Sequence, residues 1–471
     1  MPLKIALPKG RLMAQTAELL DRAGWGMGGY HSRARLYRLQ SERFANLSAK
    51  IFHEKDIPIQ VAIGNYDMGI CGLDWINELL TKYPKSALVR VKNLGYGGGG
   101  LYAATAGNIN LKDIDNLSDE GGNVRIASEY PNLAEALAEE LRLRRFSIYP
   151  LWGAAEAYPP ENAELVLISR KNPGELMEHG LKPVKKMLDF RAYLVANEDS
   201  LKVKDMAEVV ASIVDNLMIN KEAIDDTSQE IAEEAIKYEF QKITDDTVRV
   251  ALPDGHQQPH VRRIFDAAGI EMNDYPSDTG NRRPVSQNLK GYFFKLIRPQ
   301  DMPLQVANGN FDIAITGRDW LKEHLYQFPQ SPVVEMLDLK YGWVKIVAVI
   351  DQEVPVENAG DLKDYCNGKR IRVATEYINI ADNYARENHL GRYLIVPTWG
   401  ATEAFLPEDA DMMIENTETG GTIKRHNLKI IDTLFESTAC VVANKSSASH
   451  KLKEKKIKEF IGLLSKALQS G

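Results

Sequence analysis

An acid set just ahead of threonines and paired glycines is a combination that can grip a sugar phosphate. The stretch "MIENTETGGTI" carries it, with Glu415, Thr417, Thr419, Gly420, Gly421 and Thr422 inside eight positions. Glycine permits φ > 0, so the backbone can turn its N–H groups toward one point. Successive N–H groups in such a turn form a nest for an anion, and the threonine hydroxyls add donors. If "GTIKRH" opens a helix, its N-terminal dipole favours the same anion. Glu415 has a different task, because a carboxylate beside a phosphate can accept bonds from sugar hydroxyls or face a metal-bound pyrophosphate. The plain alternative is a Gly-Thr turn with helix-capping threonines, a common arrangement.

The chain contains each of its main words twice. "KIALPKGRL" at Lys4 is answered by "RVALPDGHQ" at Arg249, and "DIPIQVAIGNYDMGICGLDWINE" at Asp56 by "DMPLQVANGNFDIAITGRDWLKE" at Asp301. The offset is 245 residues there (Pro8 against Pro253) and 247 further on, where "RIASEYPN" meets "RVATEYIN" and "WGAAEA" meets "WGATEA". Whole words recurring in order rule out similar composition as the cause. The period is domain-sized, so the chain is a fused pseudo-dimer and not a solenoid.

The copies differ where chemistry is concerned. Opposite Glu415 the first copy has Ile168, and opposite Thr419–Thr422 it has Asn172, Pro173, Gly174 and Glu175. Proline removes an N–H that the nest needs, and Glu175 repels a phosphate. At the first strand-to-helix turn the asymmetry reverses. Lys9 and Arg11 in "LPKGRL" suit a polyphosphate or form a solvated turn, whereas the second copy has Asp254 and His256, and Asp254 is wrong for an anion site. Arg298 in the second copy stands opposite His53 in the first. Neither copy holds every cation, and together they hold one set.

These residues need elements to position them. "KIALP" and "VRVALP" read as strands followed by amphipathic helices, with Leu12, Thr16, Leu19, Leu20 and Ala23 at helical spacing. "IQVAIGNYDMGICG" reads as helix end, turn and buried strand; "AELVLIS" and "ADMMIEN" read as buried strands. Such alternation predicts an α/β fold with mostly parallel sheets. Each copy has too many strands for one small sheet, so two lobes around a cleft are expected. The first unit is expected over 1–220 (lobes about 1–100 plus 190–220, and 101–189). A helical connector is expected over 221–246, opened by an N-cap in "DDTSQE", and a second unit over 247–471 (lobes about 247–346 plus 437–471, and 347–436).

Composition sets the class. Hydrophobic content of 44% and charged content of 26% are those of an ordinary soluble protein. A net charge of −7 argues against a general nucleic-acid binder. No apolar run is long enough for a membrane span. "MPLKIALPKGRL" has no cleavage site behind an apolar segment and reads as a first strand. Cys71, Cys366 and Cys440 lie far apart, without metal-ligand spacing, so reduced thiols in a cytoplasmic protein are expected.

Taken together, "LPKGRL", the two Asp-Ile/Met-Pro words, "LGYG", "ASEYPN" with "ATEYIN", "GATEA" and "ENTETGGTI" resemble the short-form catalytic ATP phosphoribosyltransferase family, twice over nearly the whole chain. The resemblance implies two tandem copies of a two-lobed unit like type II periplasmic binding proteins. It implies condensation of ATP with 5-phosphoribosyl 1-pyrophosphate to N1-(5-phosphoribosyl)-ATP and pyrophosphate, with Mg²⁺, as the first step of histidine biosynthesis. It assigns the phosphate loop to Glu415 and Thr419–Thr422, the Lys-Gly-Arg turn to Lys9 and Arg11, and a further cation to Arg298. An arginine after the first helix has Arg33 and Arg35, or Arg282 and Arg283, as candidates. Glu376, Tyr377 and Glu403 are candidates for the nucleotide, although "EY" reads as a helix start as readily as a ligand contact. The family is not usually a tandem fusion, and short-form members rely on a regulatory partner similar to histidyl-tRNA synthetase. A homo-oligomer is expected. Two other classes fit the sequence: a catalytically inactive nucleotide-binding regulatory subunit, and a two-lobed solute-binding protein.

Overall fold

The computed structural model describes residues 2–31, 37–107, 109–217, 241, 243–277, 280–366 and 368–470. Arg33 and Arg35, and most of the expected connector, lie outside these residues.

The first amphipathic helix, Met13–Arg22, follows the strand Leu3–Lys9. Leu12, Thr16, Leu19, Leu20 and Ala23 are all buried, as their spacing predicts. Leu3–Lys9 pairs in parallel with Leu47–His53 and with Met68–Gly72, whose side chains are buried throughout. Ala192–Asn197 then joins antiparallel, followed by Leu88–Asn93. The order beyond an edge strand Arg38–Gln40 is therefore 2-1-3-n-4, the fourth member coming from late in the repeat. The second repeat builds the same sheet from Tyr292–Ile297, Val248–Pro253, Ile313–Gly317, Ala439–Asn444 and Val333–Asp338.

Each repeat also has a five-stranded sheet for its second lobe. In the second repeat it runs Arg392–Pro397, Arg370–Thr375, Met412–Thr417, Val344–Asp351, Leu428–Ser437. Its core packs Val373, Tyr377, Ile380, Tyr384, Met412 and Ile414, and the other lobe has a separate aromatic core of Phe265, Tyr292, Phe294 and Phe460. Two crossing chains join the lobes, tied by Leu339 N–H to Ala439 O and Ala439 N–H to Tyr341 O, both 2.9 Å. The first repeat has the same crossing at Leu94, Ala192 and Tyr96. Two α/β lobes of this strand order joined by paired crossings are the type II periplasmic-binding-protein-like fold, present twice.

The compact units are not contiguous. The first comprises Met1–Tyr149, Leu165–Lys237 and Thr398–Asp409, and the second Pro150–Glu164, Tyr238–Pro397 and Ala410–Gly471. Each repeat thus gives a short segment, the one containing its "WGA" word, to the other unit. In the second unit Asp301 accepts the Trp152 N–H at 3.2 Å. In the first, Asp56 takes the Trp399 N–H in the same way. Lys50 meets Glu408 at 2.7 Å and Asp409 at 2.9 Å. Its counterpart Lys295, fully buried, meets Glu161 at 2.8 Å and Asn162 Oδ1 at 2.7 Å. A buried ammonium is tolerable only when so paired.

Candidate active site

In the second unit the strand Met412–Thr417 buries Met412, Met413 and Ile414 and emerges at Glu415. Glu415 accepts from the Asn416 N–H and amide, both at 2.9 Å. The chain turns at Gly420, where φ is +71°; a side chain there would strain this left-handed backbone. Gly420 N–H donates to Thr417 Oγ1 at 2.9 Å, and Gly421 N–H reaches Thr419 Oγ1 at 3.4 Å. The threonines thus shape the turn, and the hydroxyls of Thr419 and Thr422 sit on exposed residues. The predicted helix is one short turn, Gly421–Arg425, with the Arg425 guanidinium on Gly421 O and Thr422 Oγ1. The Gly420 and Gly421 N–H groups, expected to converge as a nest, thus go to threonine hydroxyls of the same turn, and so short a helix adds little dipole.

The other lobe brings Asp254, Arg282 and Arg298. Asp254 follows the strand Val248–Pro253 and faces two arginines, Arg282 at 2.8 Å and Arg298 at 3.4 Å. Asp254 is thus paired with arginines, and with Glu156 on Arg282 at 2.7 Å the cluster holds two carboxylates and two guanidinium groups. Burial opposes the charge on Arg282, but Glu156 and Asp254 outweigh it and raise its pKa. The Arg298 side chain is 41% exposed.

The first unit holds the alternative set. Lys9 donates to Tyr37 Oη at 2.9 Å. Arg11 is pinned between Glu54 (2.8 Å) and Asp74 (3.1 Å) and lies over the Phe190 ring at 4.6 Å. Burial would lower its pKa, yet the two carboxylates raise it. Arg11 is therefore already committed to carboxylates of its own unit. It borders a cleft of about 720 Å³ with Arg170, Lys171, Glu175 and His179. There Ile168 is buried in Leu165–Arg170, and Asn172 Oδ1 accepts from the Glu175 N–H at 3.3 Å while Glu175 accepts from the Lys171 N–H at 3.2 Å. That loop is held by an acid and an amide. His53, opposite Arg298, is kept neutral: burial, then Lys55 and Lys9, pull its pKa down to about 4.

The remaining candidates divide. Tyr377 is 1% exposed, donates to Asp319 at 2.7 Å and stacks on Trp320 at 4.5 Å. It caps the helix Ile378–Glu387, which starts just after Glu376. The helix-start reading of "EY" accounts for these placements. Glu403 lies in Thr402–Phe405, inside the segment that belongs to the first unit. Glu156, in the matching segment of the first repeat, belongs to the second unit and bonds Arg282 at 2.7 Å. The sequence marks Glu156 only through the repetition of "WGA…EA". Among the described residues, no group of three or more His, Cys, Asp or Glu could hold a metal ion. No helix among the described residues is long and apolar enough to cross a membrane.

Paired two-lobed α/β units with a Gly-Thr turn at a strand end define the class: a type II periplasmic-binding-protein-like fold doubled in one chain. The family model "HisG: ATP phosphoribosyltransferase" matches residues 53–218 and again 298–466. The chain belongs to the ATP phosphoribosyltransferase family, as a tandem fusion, and is a transferase of the phosphoribosyltransferase kind. An ATP phosphoribosyltransferase of Chlorobaculum parvum is 31% identical over 237 residues, covering 48% of this chain and 74% of that protein. One of Pelodictyon phaeoclathratiforme is 36% identical over 233 residues, covering 47% and 72%. Among solved structures, the "ATP phosphoribosyl transferase (HisG:HisZ) complex from Thermotoga maritima" covers 48% of this chain and 100% of that chain at 22% identity, with a TM-score of 0.39.

Proposed function

We propose that the second unit condenses ATP with 5-phosphoribosyl 1-pyrophosphate, giving N1-(5-phosphoribosyl)-ATP and pyrophosphate, the entry reaction of histidine biosynthesis in the cytoplasm. The observation that carries this reading is the Glu415–Thr422 turn: left-handed at Gly420, rimmed by hydroxyls, and in one compact unit with Arg298. At ribose C1 the bond to pyrophosphate oxygen breaks and a bond to adenine N1 forms. The N1 lone pair supplies the electrons, and pyrophosphate leaves with the pair from the broken bond. A lone-pair nucleophile needs little proton transfer, so catalysis rests on positioning and on stabilising the departing charge.

Thr419, Gly420, Gly421 and Thr422 hold the 5-phosphate, and Glu415 accepts from the ribose hydroxyls. Arg298 faces the pyrophosphate, and Mg²⁺ comes with that substrate group, neutralising part of its charge. Each charge-assisted contact is worth about 1.5–3 kcal/mol, or roughly 10- to 150-fold in rate. Lys9 and Arg11, in the first unit, are not assigned to this centre. Arg33 and Arg35 stay assigned to the nucleotide by resemblance alone, and a histidyl-tRNA-synthetase-like regulatory partner and a homo-oligomeric state belong to the same proposal. The test is incubation of the pure chain with ATP, Mg²⁺ and 5-phosphoribosyl 1-pyrophosphate, following product absorbance and pyrophosphate release. Product that disappears with Thr419→Ala supports the reading. No product, with or without a histidyl-tRNA-synthetase-like subunit, rejects it in favour of a regulatory role.

A further inference from the structure

Four side chains of alternating charge run in line through the second unit, and the first of them comes from the first repeat. Glu156 Oε1 accepts from Arg282 Nε at 2.7 Å, and Arg282 Nη1 donates to Asp254 Oδ2 at 2.8 Å. Arg298 Nη1 lies 3.4 Å from the same Asp254 oxygen. Side-chain exposure is 7% at Glu156, 19% at Arg282, 15% at Asp254 and 41% at Arg298. The line is therefore fixed at its Glu156 end and loose at Arg298.

The same borrowed segment touches Arg298 a second time. A Cβ on Gly153 would lie 2.9 Å from Arg298 Nε, so glycine is what lets the arginine rest on that backbone. The segment is itself anchored, because Asp301 accepts the Trp152 N–H. Ala154 follows in the left-handed region at φ +56°, an unfavourable conformation for a residue with a Cβ.

We propose that Glu156 and Gly153, given by the first repeat to the second unit, are positioning residues that aim Arg298 at a pyrophosphate group. Charge balance supplies the reason. With Glu156 ionised, Arg282 has a carboxylate of its own, and Asp254 holds Arg298 only at 3.4 Å, so a stronger anion can take it. With Glu156 neutral, Asp254 is the one carboxylate of the four left to balance two guanidinium groups, and Arg298 is drawn inward. A degenerate first repeat is then retained because its segment completes the second unit. The identity of the anion rests on the proposed reaction; the positioning itself does not require turnover.

The experiment titrates Mg²⁺-pyrophosphate into the intact chain by calorimetry, with Glu156→Gln, Arg298→Gln and the double variant alongside. We expect Glu156→Gln to weaken binding about tenfold, as an ionic bond becomes a neutral one. Arg298→Gln should weaken it more, and the double variant no more than Arg298→Gln alone. Glu156→Asp should recover part of the loss. Losses that multiply in the double variant, or a wild-type chain that ignores pyrophosphate, overturn the inference. Melting curves of every variant separate misfolding, and Gly153→Ala gives an independent route to the same non-additive result should Glu156→Gln not fold. Product formation is followed on the same samples. A wild-type chain that binds pyrophosphate with non-additive losses yet makes no product rejects the reaction and keeps the positioning role; turnover with multiplying losses does the reverse.

Discussion

The two repeats hold their lobes together in the same way and differ at the turns that meet ligands. In the first unit Tyr130 donates to Asp74 at 2.8 Å and stacks on Trp75 at 4.2 Å; in the second Tyr377 and Asp319 do the same, with Trp320 beneath the ring. Glu78 accepts the N–H groups of Asn132 and Leu133 at 2.9 Å, and Glu323 those of Asn379 and Ile380 at 2.8 and 2.9 Å. These contacts explain why "DW…E" and "EY" recur almost unchanged: they tie one lobe to the other. The first unit adds Arg11 to Asp74, while the second substitutes the Ser437 hydroxyl, at 2.8 Å from Asp319. Repetition in this chain therefore marks the clamp, and divergence marks the proposed chemistry.

The largest test of that comparison removes the clamp acid from each unit. Asp74→Ala takes from Arg11 one of its two carboxylates, leaving Glu54, and strips the Tyr130 hydroxyl of its acceptor, so it should cost about 2–4 kcal/mol. Asp319→Ala leaves only hydroxyls unpaired and should cost about 1–3 kcal/mol; equal losses in denaturant titrations would erase the distinction. Next comes the turn. Gly420→Pro forces φ from +71° to the proline value and should lower turnover by about a hundredfold, whereas Pro173→Gly should leave turnover within about twofold, since that residue lies outside the proposed centre. Similar losses from both changes would dissolve the asymmetry.

A third test uses pH. His53 titrates near 4 in the folded chain and at about 6.5 unfolded. Between those values the unfolded state binds a proton that the native state refuses, so stability falls as pH drops, by at most about 1.4 kcal/mol per pH unit. The loss is complete below pH 4, and His53→Gln should flatten that segment of the melting-temperature profile. The smallest effect concerns the borrowed segments. Tyr66 donates to the buried Asp409 at 2.9 Å, whereas the matching positions in the second unit are Phe311 and Asn162. Tyr66→Phe should cost about 1–2 kcal/mol, and Phe311→Tyr should restore nothing elsewhere.

Much of this organisation was legible in the sequence. Helical spacing in Leu12–Ala23 and the apolar runs around Met68 and Met412 predicted helix and strand, because amphipathic and buried elements leave periodic marks. The turn at Gly420 was legible because Gly-Gly beside threonine has a conformational meaning, and the chain is left-handed there. The exchange of segments was not. "WGAAEA" and "WGATEA" read alike, and nothing in either word tells which repeat's aspartate will take the tryptophan N–H. Pinning of Arg11 was equally hidden, since Glu54 and Asp74 lie 43 and 63 positions away.

The borrowed segment of the first unit has a consequence for biosynthesis on the ribosome. Lys50 meets Glu408 and Asp409, and Phe52 meets Phe405 at 5.1 Å, from residues translated some 350 positions later. At about 5–20 residues per second, the amino-terminal half waits roughly twenty seconds to a minute for its last piece. During that interval a cation and an aromatic ring that end up covered stay open to water and to chaperones.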